Sequence, residues 1–78
     1  MGMDFHDETV VINDILGVEE AETLLEWLLE HPQAQVDLSN CNHLHAANLQ
    51  VLMALRPRIQ AWPDDPELTD WLKAALDD

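Results

Sequence analysis

The segment with the greatest chemical potential is Cys41-Asn-His43-Leu-His45, which places a thiol close to two imidazoles. Thiolate and imidazole are good ligands for zinc and copper. A closed zinc site needs about four ligands, so His6, His31 or an aspartate would have to complete it. In the alternative interpretation, no metal binds and Cys41 packs as a small apolar side chain.

A second possible chemistry is nucleophilic catalysis by Cys41 with a nearby histidine. Residues two apart on an extended segment point to the same side, so Cys41 and His43 could meet. No pattern supplies an oxyanion hole or a group to orient the histidine. The only serine, Ser39, lies outside any nucleophile-elbow pattern, and the two glycines cannot form a glycine-rich phosphate loop. We therefore expect a protein that is not an enzyme and needs no cofactor.

The charge balance restricts the possible partners. Three Lys and Arg residues face 16 Asp and Glu residues, which gives a formal net charge of −13. Nucleic acids and anionic lipids both require clustered cations, so neither is an expected partner. Glu22, Glu26 and Glu30 recur at helical spacing with no lysine between them. These glutamates form either a solvated face or an acidic edge for a protein with a basic surface.

Length and composition indicate one small domain. The chain has 78 residues, 47% of them hydrophobic, which is too many for a disordered acidic tail. One cysteine excludes an internal disulfide and fits a reducing compartment. No apolar run is long enough to span a bilayer, and the N-terminus has no apolar signal region. We expect a cytoplasmic protein that does not insert into a membrane.

Strands and helices are predicted to alternate along the chain. The predicted strands are residues 9–12, 35–38 and 58–62, and the predicted helices are residues 18–30, 46–55 and 66–76. Polar residues 13–14 and 39–42 are expected to end the first two strands. Alternation of this kind predicts an α/β fold with a small, mostly parallel three-stranded sheet and flanking helices. Residues 1–8 are expected to be an N-terminal tail. The predicted core consists of Leu24, Leu28, Val36, Leu38, Leu52, Ile59, Leu68 and Leu72.

Residues 36–55 carry a family resemblance. An apolar strand ends in Asp37-Leu38-Ser39, a short polar stretch and Leu44 follow, and His45-Ala-Ala-Asn-Leu opens a helix. This segment resembles the central motif of the STAS domain, a family that includes bacterial anti-sigma factor antagonists and a domain of sulphate transporters. That motif opens its helix with Asp-Ser-Ser-Gly-Leu. The order of strands and helices over residues 9–76 also fits the family, so residues 9–78 are interpreted as one STAS-like domain.

Three departures from the STAS motif matter for function. The phosphorylatable serine of the family falls on Ala47, which has no hydroxyl. The preceding Asp falls on His45, and the glycine falls on Asn48. The chain is also shorter than the usual domain of the family, and the sequence predicts a missing N-terminal strand and a trimmed second helix. The resemblance therefore implies a member that cannot be switched by phosphorylation at the family site.

The function that the resemblance implies is non-enzymatic regulation by protein–protein interaction. The partner is expected to dock on the start of the second helix through a set of neighbouring residues, namely Leu44, His45, Ala46, Ala47, Asn48 and Gln50. Two other functions stay open. One is a small STAS subunit of an ABC-type lipid transport complex. The other is a metal-sensing or small-molecule-sensing domain that uses Cys41, His43 and His45.

Overall fold

A computed structural model describes residues 2–76 as a small α/β fold. Within that range, four strands and three helices follow one another in a fixed order. They are β1 (Met3–His6), β2 (Thr9–Leu16), α1 (Glu20–Glu30), β3 (Gln35–Leu44), α2 (Ala46–Leu55), β4 (Arg58–Ala61) and α3 (Pro66–Leu76). The alternation of strands and helices from residue 9 onward is as predicted, and the bounds of α2 agree with the prediction.

The strands form one mixed sheet in the order β1-β2-β3-β4. β2 pairs with β3, and β3 with β4, in parallel. β1 pairs with β2 in an antiparallel hairpin, with Met3 opposite Ile12 and His6 opposite Thr9. The prediction of three strands in a mostly parallel sheet is therefore not accurate, because it left out the antiparallel edge strand.

The missed strand lies in residues 1–8, which the sequence had predicted to be a tail. The run Met3-Asp-Phe-His6 alternates apolar and polar side chains, as a half-buried strand does. The acidic residues around this run obscured the alternation. Asp7 occupies the left-handed region with φ 52°, which permits the tight turn into β2. The expected absence of an N-terminal strand was wrong for the same reason.

Strands β2 and β3 both continue past the polar residues that were expected to end them. Asn and Asp have low strand propensity, but here their side chains hydrogen-bond across strands. Asn13 Nδ2 donates to Asp4 Oδ2 at 2.8 Å, and Asn40 Nδ2 donates to Asn13 Oδ1 at 3.2 Å. Asn42 Nδ2 donates to Asp14 Oδ1 at 3.4 Å. This polar ladder explains why the two strands extend to Leu16 and Leu44.

The core lies between one face of the sheet and the helices. Val10, Ile12, Val36 and Leu38 are fully buried from the strands, while alternate residues such as Asp37 are only half-buried. Six of the eight predicted core residues are buried, and Ile59 and Leu68 are half-buried at the margin. The helices contribute Leu24, Leu28, Leu49, Leu52 and Leu72 to the same cluster. One covered face therefore accounts for the apolar alternation along the strands.

Local signals set the helix ends. Asp65 Oδ1 accepts a hydrogen bond from Glu67 N at 2.9 Å, so Asp65 caps α3, and Pro66 occupies its first turn. Helix α1 begins at Glu20 rather than at Val18, because residues 17–19 form a turn closed by Gly17 O. Strand β4 ends at Ala61, one residue before the predicted end, with Pro63 close behind.

The hairpin gives a direct test of whether β1 belongs to the folded domain. Met3 is 4% exposed in the core, whereas Met53 is 39% exposed on α2. We expect Met3→Ala to lower the free energy of unfolding by about 2 kcal/mol or more, because it leaves a cavity. The matched control Met53→Ala should change it by less than about 1 kcal/mol. Urea unfolding followed by circular dichroism measures both. Equal, small effects would mean that residues 3–6 are a tail.

Candidate functional site

The end of β2 and the start of α2 meet at the carboxyl edge of the parallel strands. Leu16 pairs with Leu44 at the last position of both strands. His45 N donates to Leu16 O at 2.9 Å, directly before α2 begins. Residues 15–18, at the end of β2, and residues 44–50, at the end of β3 and the start of α2, therefore form one surface, which we call the carboxyl-edge surface.

His45 is the N-cap of α2. Its backbone is extended, with φ −62° and ψ 147°, and Nδ1 accepts a hydrogen bond from Ala47 N at 3.0 Å. A helix start has unpaired N–H groups, and a side-chain acceptor satisfies one of them. Histidine thus caps α2 at the position where the STAS motif has Asp. Because Nδ1 accepts, it carries no proton in this geometry.

Asn48 ties α2 to the end of β2. Its side chain is fully buried, and Nδ2 donates to Leu16 O at 3.2 Å and to Gly17 O at 2.7 Å. Its Oδ1 atom is also buried and has no hydrogen-bond partner within residues 2–76. Asn48 therefore has a structural role at the position where the STAS motif has glycine. Its buried amide cannot reach a partner from this position.

Two apolar side chains are strongly exposed on this surface. Ile15 is 62% exposed and Val18 is 55% exposed. They flank Leu16 and Gly17, the residues whose carbonyls hold His45 and Asn48. Exposed apolar side chains grouped beside polar ones are typical of protein–protein contact sites.

Strand alternation explains why Ile15 is exposed. Ile12 and Leu16 of β2 are buried against the helices, so Ile15, one residue before Leu16, lies on the opposite face of the sheet. The pairing of β2 with β3 also shifts between Asp14 and Ile15, but the extra residue at this shift belongs to β3. Ile15 is not among the residues predicted for the site, because the predicted strand ends at residue 12. The signal available was an apolar residue after Asn13-Asp14, a pair that can adopt unusual backbone angles.

The predicted partner-binding residues divide into two groups. Leu44 and Asn48 are buried and hold the surface in place. His45, Ala46 and Gln50 are exposed, and Ala47 is half-buried. In this conformation the exposed group, together with Ile15 and Val18, is what a partner could touch.

The rim of the carboxyl-edge surface is acidic. Asp14 and Glu19 are exposed beside it. The Glu20 carboxylate already accepts two hydrogen bonds within the protein, from Gly17 N at 2.8 Å and from Gly2 N at 3.4 Å. Further along α1, Glu22, Glu26 and Glu30 are all exposed. An apolar centre with an acidic rim is complementary to a partner with a basic rim.

Cys41 and His43 do not face each other, so the possible contact between the thiol and this imidazole is not formed. Asp14 pairs with Cys41 and Ile15 pairs with His43, so Asn42 is an extra residue in β3. This bulge breaks the strand alternation that would have placed the two side chains on the same side. Cys41 is buried in the core, its Sγ lies 3.5 Å from His43 O, and the His43 side chain is exposed. The thiol and the imidazole of His43 are therefore not arranged for catalysis.

The three candidate metal ligands, which the alternative metal-binding interpretation would use, also have separate roles. His45 caps α2, Cys41 packs in the core, and His43 is exposed. Within the part of the chain that the structure describes, no group of three or more His, Cys, Asp or Glu side chains is placed to hold a metal ion. In the same residues, no helix has both the length and the apolar character required to cross a bilayer.

Comparison with known proteins adds no relative. No protein-family model matches the chain, and a search of curated proteins gives no significant match. The resemblance to the STAS domain therefore depends on the motif residues and on the order of strands and helices, and it stays a prediction.

Substitutions of Asn48 test whether its side-chain hydrogen bonds connect α2 to the end of β2. Asn48→Asp keeps the shape but replaces a double donor with a buried carboxylate beside two carbonyl oxygens. We expect it to destabilise the fold by about 3 kcal/mol or more. Asn48→Ala, which adds no charge, should cost roughly 1–3 kcal/mol. Thermal unfolding near neutral pH measures both. If the Asp variant were as stable as the Ala variant, Asn48 would not donate to these carbonyls.

Cys41 should react slowly in the native protein. Burial raises the pKa of its thiol, so less thiolate is present at a given pH, and the thiolate is the reactive form. At about pH 8, labelling with Ellman's reagent should be at least about tenfold slower in the native state than in urea. Both states should finally release one thiol per chain, since the sequence has one cysteine. Fast native labelling would show that Cys41 is accessible and argue for a chemical role.

Proposed function

We propose that this chain is a non-enzymatic protein-interaction module similar to an anti-sigma factor antagonist. The observation that carries the proposal is the pair of exposed apolar residues, Ile15 and Val18, beside the start of α2. In the STAS-like interpretation, docking takes place at the same start of α2. The family resemblance and the exposed apolar surface thus favour the same contact site, and they are independent of each other.

Contact at this site would need no change of state. Ala47 has no hydroxyl at the position of the family phosphoserine, so the module is constitutive there. The only serine is a poor substitute. Ser39 lies within β3 and is half-buried, and its Oγ donates to Asp37 Oδ1 at 2.7 Å. A kinase would have to break this contact and open a paired strand to modify it.

The acidic rim indicates the class of partner. With a net charge of −13, long-range attraction favours a protein whose contact region is basic. A regulatory partner of the anti-sigma kind is our leading candidate, in the cytoplasm. The alternative, a subunit of an ABC-type lipid transport complex, would use the same surface on a membrane permease. The identity of the captured partner separates the two functions.

The central prediction concerns Ala47. Ala47→Glu places a charged, longer side chain in the proposed contact, and it should weaken binding by roughly 2 kcal/mol or more, mainly through faster dissociation. The fold should survive, because a carboxylate near a helix N-terminus is tolerated. Ala74→Glu is the matched control, since Ala74 is exposed on α3, outside the carboxyl-edge surface. The experiment immobilises each variant, captures partners from the native host and measures dissociation by surface plasmon resonance.

Retention of the captured partner by folded Ala47→Glu decides whether the docking site is correct. A protein retained by wild type and Ala74→Glu but lost from Ala47→Glu supports the docking site. If folded Ala47→Glu retains it equally well, the docking site lies elsewhere and the transfer from the STAS family is wrong. As a second arm, Glu26→Lys on α1 should slow association and reduce its salt dependence, with little effect on dissociation.

A further inference from the structure

A groove lies at the opposite end of the sheet from the carboxyl-edge surface. It has a volume of about 750 Å³ and is formed where α1 and α2 end and β3 and β4 begin. Its polar lining includes His31, Gln33, Gln35, Arg56 and Arg58. Its size falls within the range of small-molecule sites.

A smaller, more apolar cavity adjoins this groove. Its volume is about 300 Å³, and its apolar lining consists of Leu52, Ile59, Trp62 and Leu76. Arg56 and Pro57 line both cavities, so the apolar cavity lies next to the cationic groove. We call the two together the amino-edge groove, with the apolar cavity as its apolar end and the larger groove as its cationic end.

The positive charge of the protein is concentrated around this groove. Two of its three cations, Arg56 and Arg58, line the groove. The third, Lys73, lies with Nζ 5.4 Å from the ring centre of Trp62, a residue of the apolar end. In a chain with 16 acidic residues, this grouping makes the groove the place where an anion is best received. Two guanidinium groups suit a carboxylate, because their paired N–H donors match its oxygens.

The left-handed backbone conformation of Arg56 is a second observation that favours a functional role for this residue. Arg56 is the C-cap of α2 with φ 48°, and its N–H donates to Leu52 O at 2.8 Å. This left-handed position usually favours glycine, and another residue costs about 1–2 kcal/mol. One explanation is that the arginine complements the negative end of the helix. That explanation does not account for the adjoining apolar cavity or for Arg58.

We propose that the amino-edge groove binds a small amphipathic carboxylate, an alkyl chain that ends in a carboxylate group. The alkyl chain occupies the apolar end, against Ile59, Trp62 and Leu76. The carboxylate lies at the cationic end, near Arg56 and Arg58. This site is separate from the proposed docking of a protein partner, and it does not depend on it.

The test uses octanoate as the probe and follows it by two-dimensional amide NMR of the full chain. Octanoate should bind saturably, with the largest shifts at Ile59 and the indole N–H of Trp62. Acetate lacks the alkyl chain, octylammonium reverses the charge and octanol removes it. We expect each of these three compounds to bind at least about tenfold more weakly, because each lacks one of the two recognised parts.

Variants separate binding from folding. Arg58 is exposed, so Arg58→Gln should fold normally and weaken octanoate binding about tenfold. Thr23→Glu makes the same one-unit change in net charge on the exposed face of α1 and should bind like wild type. Arg56→Gly suits the left-handed backbone and should also lose binding while it stays folded.

Three results would overturn the proposal. In the first, octanoate causes no saturable shifts, and the arginines then serve only the helix ends. In the second, octylammonium or octanol binds as well as octanoate. In the third, folded Arg58→Gln binds like wild type.

Discussion

The parallel pairing of β2 with β3 is the interaction on which the rest of the molecule depends. It places Leu16 beside Leu44, and from that register the carbonyls of Leu16 and Gly17 reach the start of α2. Without the last residue pairs between β2 and β3, His45 N and the Asn48 amide would lose their acceptors. The carboxyl-edge surface is therefore a product of strand register rather than of any single side chain.

The sequence was informative where apolar periodicity was strong. Leu24 and Leu28 are one helical turn apart on α1, Leu52 and Leu72 lie on the apolar faces of α2 and α3, and all four are buried as predicted. It was less informative where polar residues stabilise a strand, because cross-strand hydrogen bonds such as Asn40–Asn13 depend on a partner that is far away in sequence. Residues 13–14 and 39–42 were for this reason assigned to the ends of strands.

The candidate site could be predicted only in part. The helix start at Ala46 was evident from the motif, but the roles of its neighbours depend on tertiary geometry. Asn48 was predicted to contact a partner protein. Instead it is buried and connects α2 to the end of β2, because its amide donates to the carbonyls of Leu16 and Gly17, which are distant in sequence. The separation of Cys41 from His43 results from one extra residue in β3, and local spacing does not reveal a bulge.

Strand β4 has a consequence for how molecules of this chain behave when crowded together. It is the outer parallel strand of the sheet, and an exposed strand edge is a template for aggregation. Here the edge is only four residues long, with Pro57 before it and Pro63 two residues after it, and it carries the charge of Arg58. Short length, proline and charge are the features that discourage further strands from adding. These features leave little opportunity for a strand of another molecule to pair with β4.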